Sequence, residues 1–300
     1  IDPLVLVPNI PVPGQVMAWP AYYKDPGVGP TKSGVGELAR QTSGRLAASP
    51  FVFARESVKE KLDLAQRLLD SSPEHNHLQL VVLDGFRTLE TQQALFDTYY
   101  NYLQAKHPNW ASTRVDSQAQ LMVSKPPSAD KIELCPPHHL TGCAVDVVLV
   151  DKRRINITRG DWVTSAMVEF GAEFDEMMHK KYGDARSGAR YYEQKENQKG
   201  RVGQEACENR RLLYSLMKTC GFTNYPFEWF HFQTSGNQLD AYMRGEPEAR
   251  SGSANSDYQS YFNAQAYRAI PHYEAVLVAQ GMSQEKAEIK AREDLGIKVA

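Results

Sequence analysis

Long apolar runs are missing from this 300-residue sequence. None approaches the roughly 20 residues of a membrane span, so no spanning segment is expected. Excess charge is missing too. Lys and Arg number 34 against 36 Asp and Glu, a formal net charge of -2. That balance leaves no electrostatic footprint for nucleic acid or an anionic membrane surface as partner. Cysteine is scarce: Cys135, Cys143, Cys207 and Cys220 have no CxxC spacing among them, which argues against a Cys₄ zinc site. An even count permits one or two disulfides in an oxidising compartment, and buried free thiols explain it as well. There is no charged segment leading into an apolar run, as a signal peptide would have, and no internal repeat. The first residue is Ile1 and not Met, and "NIT" at Asn156 to Thr158 fits a glycosylation sequon. With the cysteine count, these favour a periplasmic or secreted protein; the alternative is cytoplasmic.

What is present is ordinary globular composition, 42% hydrophobic and 23% charged, enough for one large domain with appendages. Residues 1–50 are rich in Pro and Gly and read as an extended N-terminal arm wrapped on the body. The body spans 51–240. Within it a helix is expected at about 56–70, where Val58, Leu62, Ala65 and Leu69 form a stripe. Leu78 to Asp84 reads as a buried strand, followed by a "DGFRT" turn and a helix over about 89–104. Residues 107–137 read as loop. Cys143 to Asp151, "CAVDVVLVD", is apolar on both faces apart from Asp146 and should be a central strand. Residues 183–204 read as a polar loop, 205–220 as a helix stopped by Gly221, and Phe227 to Phe232 as a short aromatic strand. Residues 241–300 form a linker and helical extension, with one helix between Pro271 and Gly281 and another over about 283–295. Strands interrupted by helices and long loops predict an α+β fold.

Asp146 poses the chemical question. A carboxylate in so apolar a strand is costly unless it is paired or bound to a metal. His139 precedes it by seven residues across a Gly-containing turn, "HHLTGCAVD", and could supply an imidazole ligand. "EWFH", Glu228 to His231, adds a second histidine and a carboxylate. Two His and one carboxylate with an open position is the donor pattern of catalytic zinc. Positions i and i+3 of a strand face opposite sides, so Glu228 and His231 can act together only if the chain bends near Trp229. Arg87 stands just past a buried strand, where a guanidinium could face a developing oxyanion. Singly, each has a plainer reading: Asp146 bonding turn amides, His231 packed in an aromatic edge strand, Arg87 as a surface or capping cation. The remaining histidines lie in loop, tail or helix-surface contexts.

In this order the stretches "DGFRT", "HHLTGCAVDVVL", "FDE" at Phe174 to Glu176, and "ENRRLLYSLMKTCGFTNYPFEWFHF" resemble the zinc D-alanyl-D-alanine dipeptidases, over about residues 50–235. The family pattern SxHxxGxAxD falls on His139, Gly142, Ala144 and Asp146, which favours His139 over the adjacent His138. The resemblance implies one zinc ion held by His139, Asp146 and His231, with Glu228 as base, Arg87 as transition-state cation and Asp175 as partner of the substrate ammonium. It implies a zinc peptidase domain over 51–240, a small antiparallel sheet flanked by helices with a zinc cleft, as in hedgehog and D,D-peptidase folds. The implied reaction is hydrolysis of D-Ala-D-Ala or a related cell-wall dipeptide by a metal-bound water. The alternatives are a zinc D,D- or L,D-carboxypeptidase on longer peptides, or a zinc-containing binding module without catalysis. Pro137 stands where the family has Ser, Trp229-Phe230 is the aromatic pair before the last His, and the 146–175 and 183–204 stretches and the tail are long.

Overall fold

A computed structural model describes residues 4–9, 12–21, 52–87, 89–120, 123–126, 138–156, 162–176, 186–226, 228–234, 278 and 282–294. Cys135, Pro137, most of the "NIT" triplet and nearly all of the expected 271–281 helix lie outside them. Among the described residues no helix is long and apolar enough to cross a membrane.

Seven consecutive buried residues make β4, Leu78–Asp84, and eight make β5, Ala144–Asp151. Such runs are covered on both faces, and β5 is the middle of a five-stranded sheet. Its order is β2 (Met17–Ala18), β4, β5, β7 (His231–Thr234), β6 (Phe222–Asn224). The four strands β4, β5, β7 and β6 pair antiparallel, as expected, but β2 joins β4 in parallel, so the sheet is mixed. The arm therefore does more than wrap. It supplies β2 to this sheet, and β1 (Leu4–Val7) pairs with β3 (Val52–Arg55) in a second, two-stranded sheet.

Helices pack around the sheet. In α1, Glu56–Ser71, the expected stripe is buried together with Gln66. That amide accepts from the Leu80 N–H at 2.7 Å and donates to the Leu78 carbonyl at 3.2 Å, so α1 is tied to β4. Next come α2, Leu89–Lys106, and α3, Ser112–Ala119. The latter corrects the loop reading of 107–137: Val115 and Ala119 alone give it a buried face, too few to read as a stripe. His107 stacks on Trp110 at 3.8 Å between ring centroids. A short α4, Trp162–Ala166, follows β5. The next helix, α5, runs Gly200–Thr219, beginning five residues before the expected Glu205. Gly221, at φ +84, takes the left-handed turn that ends it. The tail carries α6, Gln284–Asp294. One apolar cluster joins the inner residues of the five-stranded sheet to α1, α2 and α5.

Candidate active site

Strand register builds the first half of the site. Asp146 lies opposite Asp84 on one side and opposite His231 on the other. Facing residues of an antiparallel pair are within side-chain reach, so the sheet itself delivers His231 to Asp146. The Nδ1 of His231 is 3.0 Å from the Asp146 Oδ1. β7 is shorter than the expected aromatic strand. Only His231 onward is extended; Trp229 and Phe230 form a bend, the one a joint role for Glu228 and His231 requires. Asn224 holds that bend, its Nδ2 donating to the carbonyls of Glu228 at 3.0 Å and His231 at 2.8 Å.

His139 arrives from a turn of 3₁₀ helix, His138–Thr141, just ahead of β5. Gly142 closes this turn at φ +71, and a Cβ there would lie 2.8 Å from the Leu4 side chain. The buried Arg55 donates its Nε to the Thr141 carbonyl at 2.9 Å, fixing the turn against β3. Gly85 is required on the other side, since a Cβ would meet the Phe53 carbonyl at 2.3 Å. Its own carbonyl oxygen lies 2.8 Å from the His139 Nδ1. A carbonyl only accepts, so Nδ1 carries the proton and Nε2 faces the site. That Nε2 is 3.1 Å from the His231 Nδ1 and 3.4 Å from the Asp146 Oδ1.

The three atoms thus form a triangle with edges of 3.0, 3.1 and 3.4 Å. Ligands about 2.0–2.1 Å from a tetrahedral zinc lie roughly 3.3 Å apart, so this donor set fits that ion. Among the described residues it is the group of His, Cys and acidic side chains able to hold a metal, and all three members are buried. His138 contributes no ligand atom to it; its ring is 6.0 Å from that of His231. Burial lowers the pKa of His138 to about 4, with the two neighbouring imidazoles adding to the effect.

Burial and charge pairing compete at the centre. Burial pushes the Asp146 carboxyl up, but His139 and His231 outweigh it and hold Asp146 below the usual carboxylate range. Burial pulls His139 down, and Asp146 reverses this to leave it above its ordinary value. Burial dominates at His231, which is lowered. Glu228 has its Oε2 3.7 Å from the His231 Nδ1. Burial first, then the Asp146 and Asp175 carboxylates, push it well above its ordinary value, with Arg87 opposing.

Arg87 is anchored. Its Nε and one Nη donate to the Asp84 Oδ2, the former at 2.9 Å, and the other Nη donates to the Gln92 Oε1 at 2.8 Å. Gln92 is tethered in turn to the Ser124 carbonyl at 2.6 Å. The guanidinium lies 4.0 Å from the Asp146 Oδ2. Neither a surface nor a capping cation, Arg87 offsets the two aspartates that register sets face to face. Asp84 and Gln92 were not singled out in the sequence; the Asp of "DGFRT", three residues before Arg87, was the available signal. Asp175 is buried at φ +53, a left-handed conformation that Asp tolerates better than most residues. It sits in a turn. Its neighbours Glu173 and Glu176 line an outer cleft of about 1340 Å³ that contains none of the triad, and Glu176 is paired with Arg186.

With this geometry in hand, residues 47–247 match the Peptidase_M15 family, D-ala-D-ala dipeptidase. The chain belongs to that family. It is therefore a peptidase of the class acting on D-Ala-D-Ala-type substrates. The chain is 28% identical over 203 residues to the D-alanyl-D-alanine dipeptidase of Synechocystis sp., covering 65% of this chain and 73% of the relative. Two solved structures are more distant. A variant of the vancomycin-resistance D,D-pentapeptidase VanY in complex with Zn(II) has 18% identity and a TM-score of 0.33, over 69% of this chain and 84% of its own. VanYB in complex with D-Alanine-D-Alanine has 18% identity and a TM-score of 0.34, over 65% and 79%. At such TM-scores the likeness transfers neither geometry nor ligands.

The anchoring of Arg87 carries a prediction. A donor pre-set beside the metal triad should act on charge that develops during reaction, so Arg87→Ala should lower kcat by about 10²–10³-fold, the usual cost of one oxyanion donor. Steady-state kinetics check it: a change confined to KM would make Arg87 a ground-state binding group.

Proposed function

We propose that this M15 peptidase is a zinc dipeptidase acting on D-Ala-D-Ala or a close cell-wall dipeptide. The observation that carries the reading is the convergence of the His139 Nε2, the His231 Nδ1 and the Asp146 carboxylate beside Glu228 and Arg87. A zinc ion there would supply Lewis-acid polarisation of the scissile carbonyl and lower the pKa of a water towards ~7. Glu228 accepts the proton of the attacking water on its carboxylate and returns it to the leaving amine nitrogen as the C–N bond breaks. Its high proton affinity suits the second half of that task. Arg87 lies where it can oppose charge gathering on the carbonyl oxygen.

Asp175 is the reason to favour a dipeptidase. A dipeptide presents a free ammonium one residue from the scissile bond, and a buried ammonium needs an acidic partner. Asp175 is buried and close enough to Glu228 to raise its pKa, while Glu173 and Glu176 belong to the outer cleft. N-acetylation of D-Ala-D-Ala should therefore cost about 10²-fold or more in kcat/KM, the scale of breaking a buried charge pair. Asp175→Asn should narrow the gap between free and acetylated dipeptide without loss of zinc. A product assay by chiral chromatography decides. Efficient cleavage of the acetylated dipeptide by the unaltered enzyme would replace this reading with the carboxypeptidase one.

A further inference from the structure

Arg210, on α5, is buried at 6% exposure and makes no ion pair among the described residues. Its guanidinium donates to three backbone carbonyls instead: Nε to Phe170 at 2.8 Å, one Nη to Gly188 at 2.8 Å, the other to Arg186 at 2.6 Å. It lies over the Tyr192 ring at 4.7 Å and near the Trp229 ring at 5.4 Å. Burial lowers its pKa to about 9, with Tyr192, Glu176 and Glu169 only partly opposing the shift. A charge kept at that cost, with only neutral hydrogen-bond partners, invites the question of what those partners carry.

They carry the part of the site that lies outside regular strand pairing. The Ser187 carbonyl, between those of Arg186 and Gly188, accepts the Trp229 backbone N–H at 2.9 Å, and Trp229 follows Glu228 directly. Phe170 stacks on Trp229 at 4.1 Å, and Phe174 meets Phe230 edge-on at 4.7 Å. Phe170 and Phe174 flank the segment that ends in Asp175. A second tie runs the same way: Tyr192 donates its hydroxyl to the Gly171 carbonyl at 2.9 Å and sits beneath Arg210. Three segments with no regular pairing to one another, at 170–175, 186–192 and 228–230, therefore meet at one guanidinium. β4 and β5 position His139 and Asp146 without it.

We propose that Arg210 is a positioning residue for the reaction, acting through Trp229 and Phe170 to hold Glu228 and Asp175 in register with the metal triad. The inference rests on the reading of Glu228 as base and Asp175 as amine partner. A shift of an ångström in a reacting group can cost about a hundredfold in rate, so displacing this bracket should appear in kcat. Lysine has its donors on one nitrogen and no planar fork, so it cannot match carbonyls reached by three separate guanidinium nitrogens.

The test uses the full-length zinc enzyme and Arg210→Lys. The expected result is a kcat lower by roughly tenfold to a hundredfold, a KM for D-Ala-D-Ala changed by no more than about threefold, and unaltered zinc stoichiometry. Trp229→Phe should also slow turnover. In Arg210→Lys/Trp229→Phe the combined loss should fall short of the product of the single losses, because both changes act on one turn. Amide hydrogen exchange supplies a readout without turnover. In Arg210→Lys, the Trp229 amide and peptides over 170–176 and 186–192 should exchange faster, with β4 and β5 unchanged. Unchanged kcat with unchanged exchange would overturn the proposal. So would accelerated exchange throughout the sheet with loss of zinc, which would mark Arg210 as a general stabiliser. Failure of the base assignment is separable: it would show as a fully active Glu228→Gln, while the exchange pattern would still report whether Arg210 holds the Trp229 turn.

Discussion

Glu228→Gln is expected to retain one zinc per chain and the fold, and to lose about 10²–10⁴-fold in kcat, the range assigned to a general acid–base group. The expectation follows from what Glu228 does and does not touch. It stands outside the triangle of metal-binding atoms, so removing its charge should leave His139, Asp146 and His231 undisturbed. Its Oε2 is nonetheless 3.7 Å from a triad nitrogen, within one water's reach of the same centre. The glutamine amide preserves shape and the turn held by Asn224, whose bonds go to backbone carbonyls and not to the Glu228 side chain. Fold and metal content are thereby decoupled from proton transfer. Inductively coupled plasma analysis alongside steady-state kinetics reads both. Turnover within a few-fold of the unaltered enzyme would place the base elsewhere, and loss of zinc would make Glu228 a ligand.

How much of this was legible in the sequence depends on the range of the interaction. β5 could be read because its burial is written in consecutive apolar residues, and Asp146 stood out because it interrupts them. The His139–Asp146 spacing is local, so their grouping was readable; the tie to His231 needed a motif, because it arises from β5–β7 register. Register between distant strands leaves no local signature, which is why Asp84 opposite Asp146 went unseen. The same holds for Arg210, whose helix position reads as one polar residue among several until its three carbonyl partners are known. α3 was missed because tertiary packing of only Val115 and Ala119 holds a mostly polar helix. The parallel β2 was missed because a two-residue strand has no periodicity to read. Conversely, the bend at Trp229 and Phe230 was anticipated from chemistry: a base and a ligand three residues apart cannot share a face of a straight strand.

Removing a triad member should have the largest effect of all. In His139→Ala and in Asp146→Ala, zinc content should fall from one per chain to near zero and hydrolysis should fall to background, since two donors leave a catalytic zinc site incomplete. His138→Ala is the control. That residue contributes no atom to the group, so its loss should leave metal in place even though it is adjacent in sequence. A third variant, Asp146→Asn, should differ from His139→Ala in the stability of its metal-free form. His139→Ala strips a buried carboxylate of the imidazole that does most to hold it charged, and leaves Asp146 with His231 and a guanidinium 4.0 Å away. Breaking a buried charged pair from one side typically costs about 3–5 kcal/mol, because the remaining charge is uncompensated. Asp146→Asn removes the charge itself and keeps the shape, so it should cost the metal-free protein less than His139→Ala does. Chemical denaturation of the two metal-free variants compares them directly. An equal loss, or a greater one for Asp146→Asn, would mean that the carboxylate holds β4, β5 and β7 together in its own right. The cation would then complete an arrangement that the strands already favour.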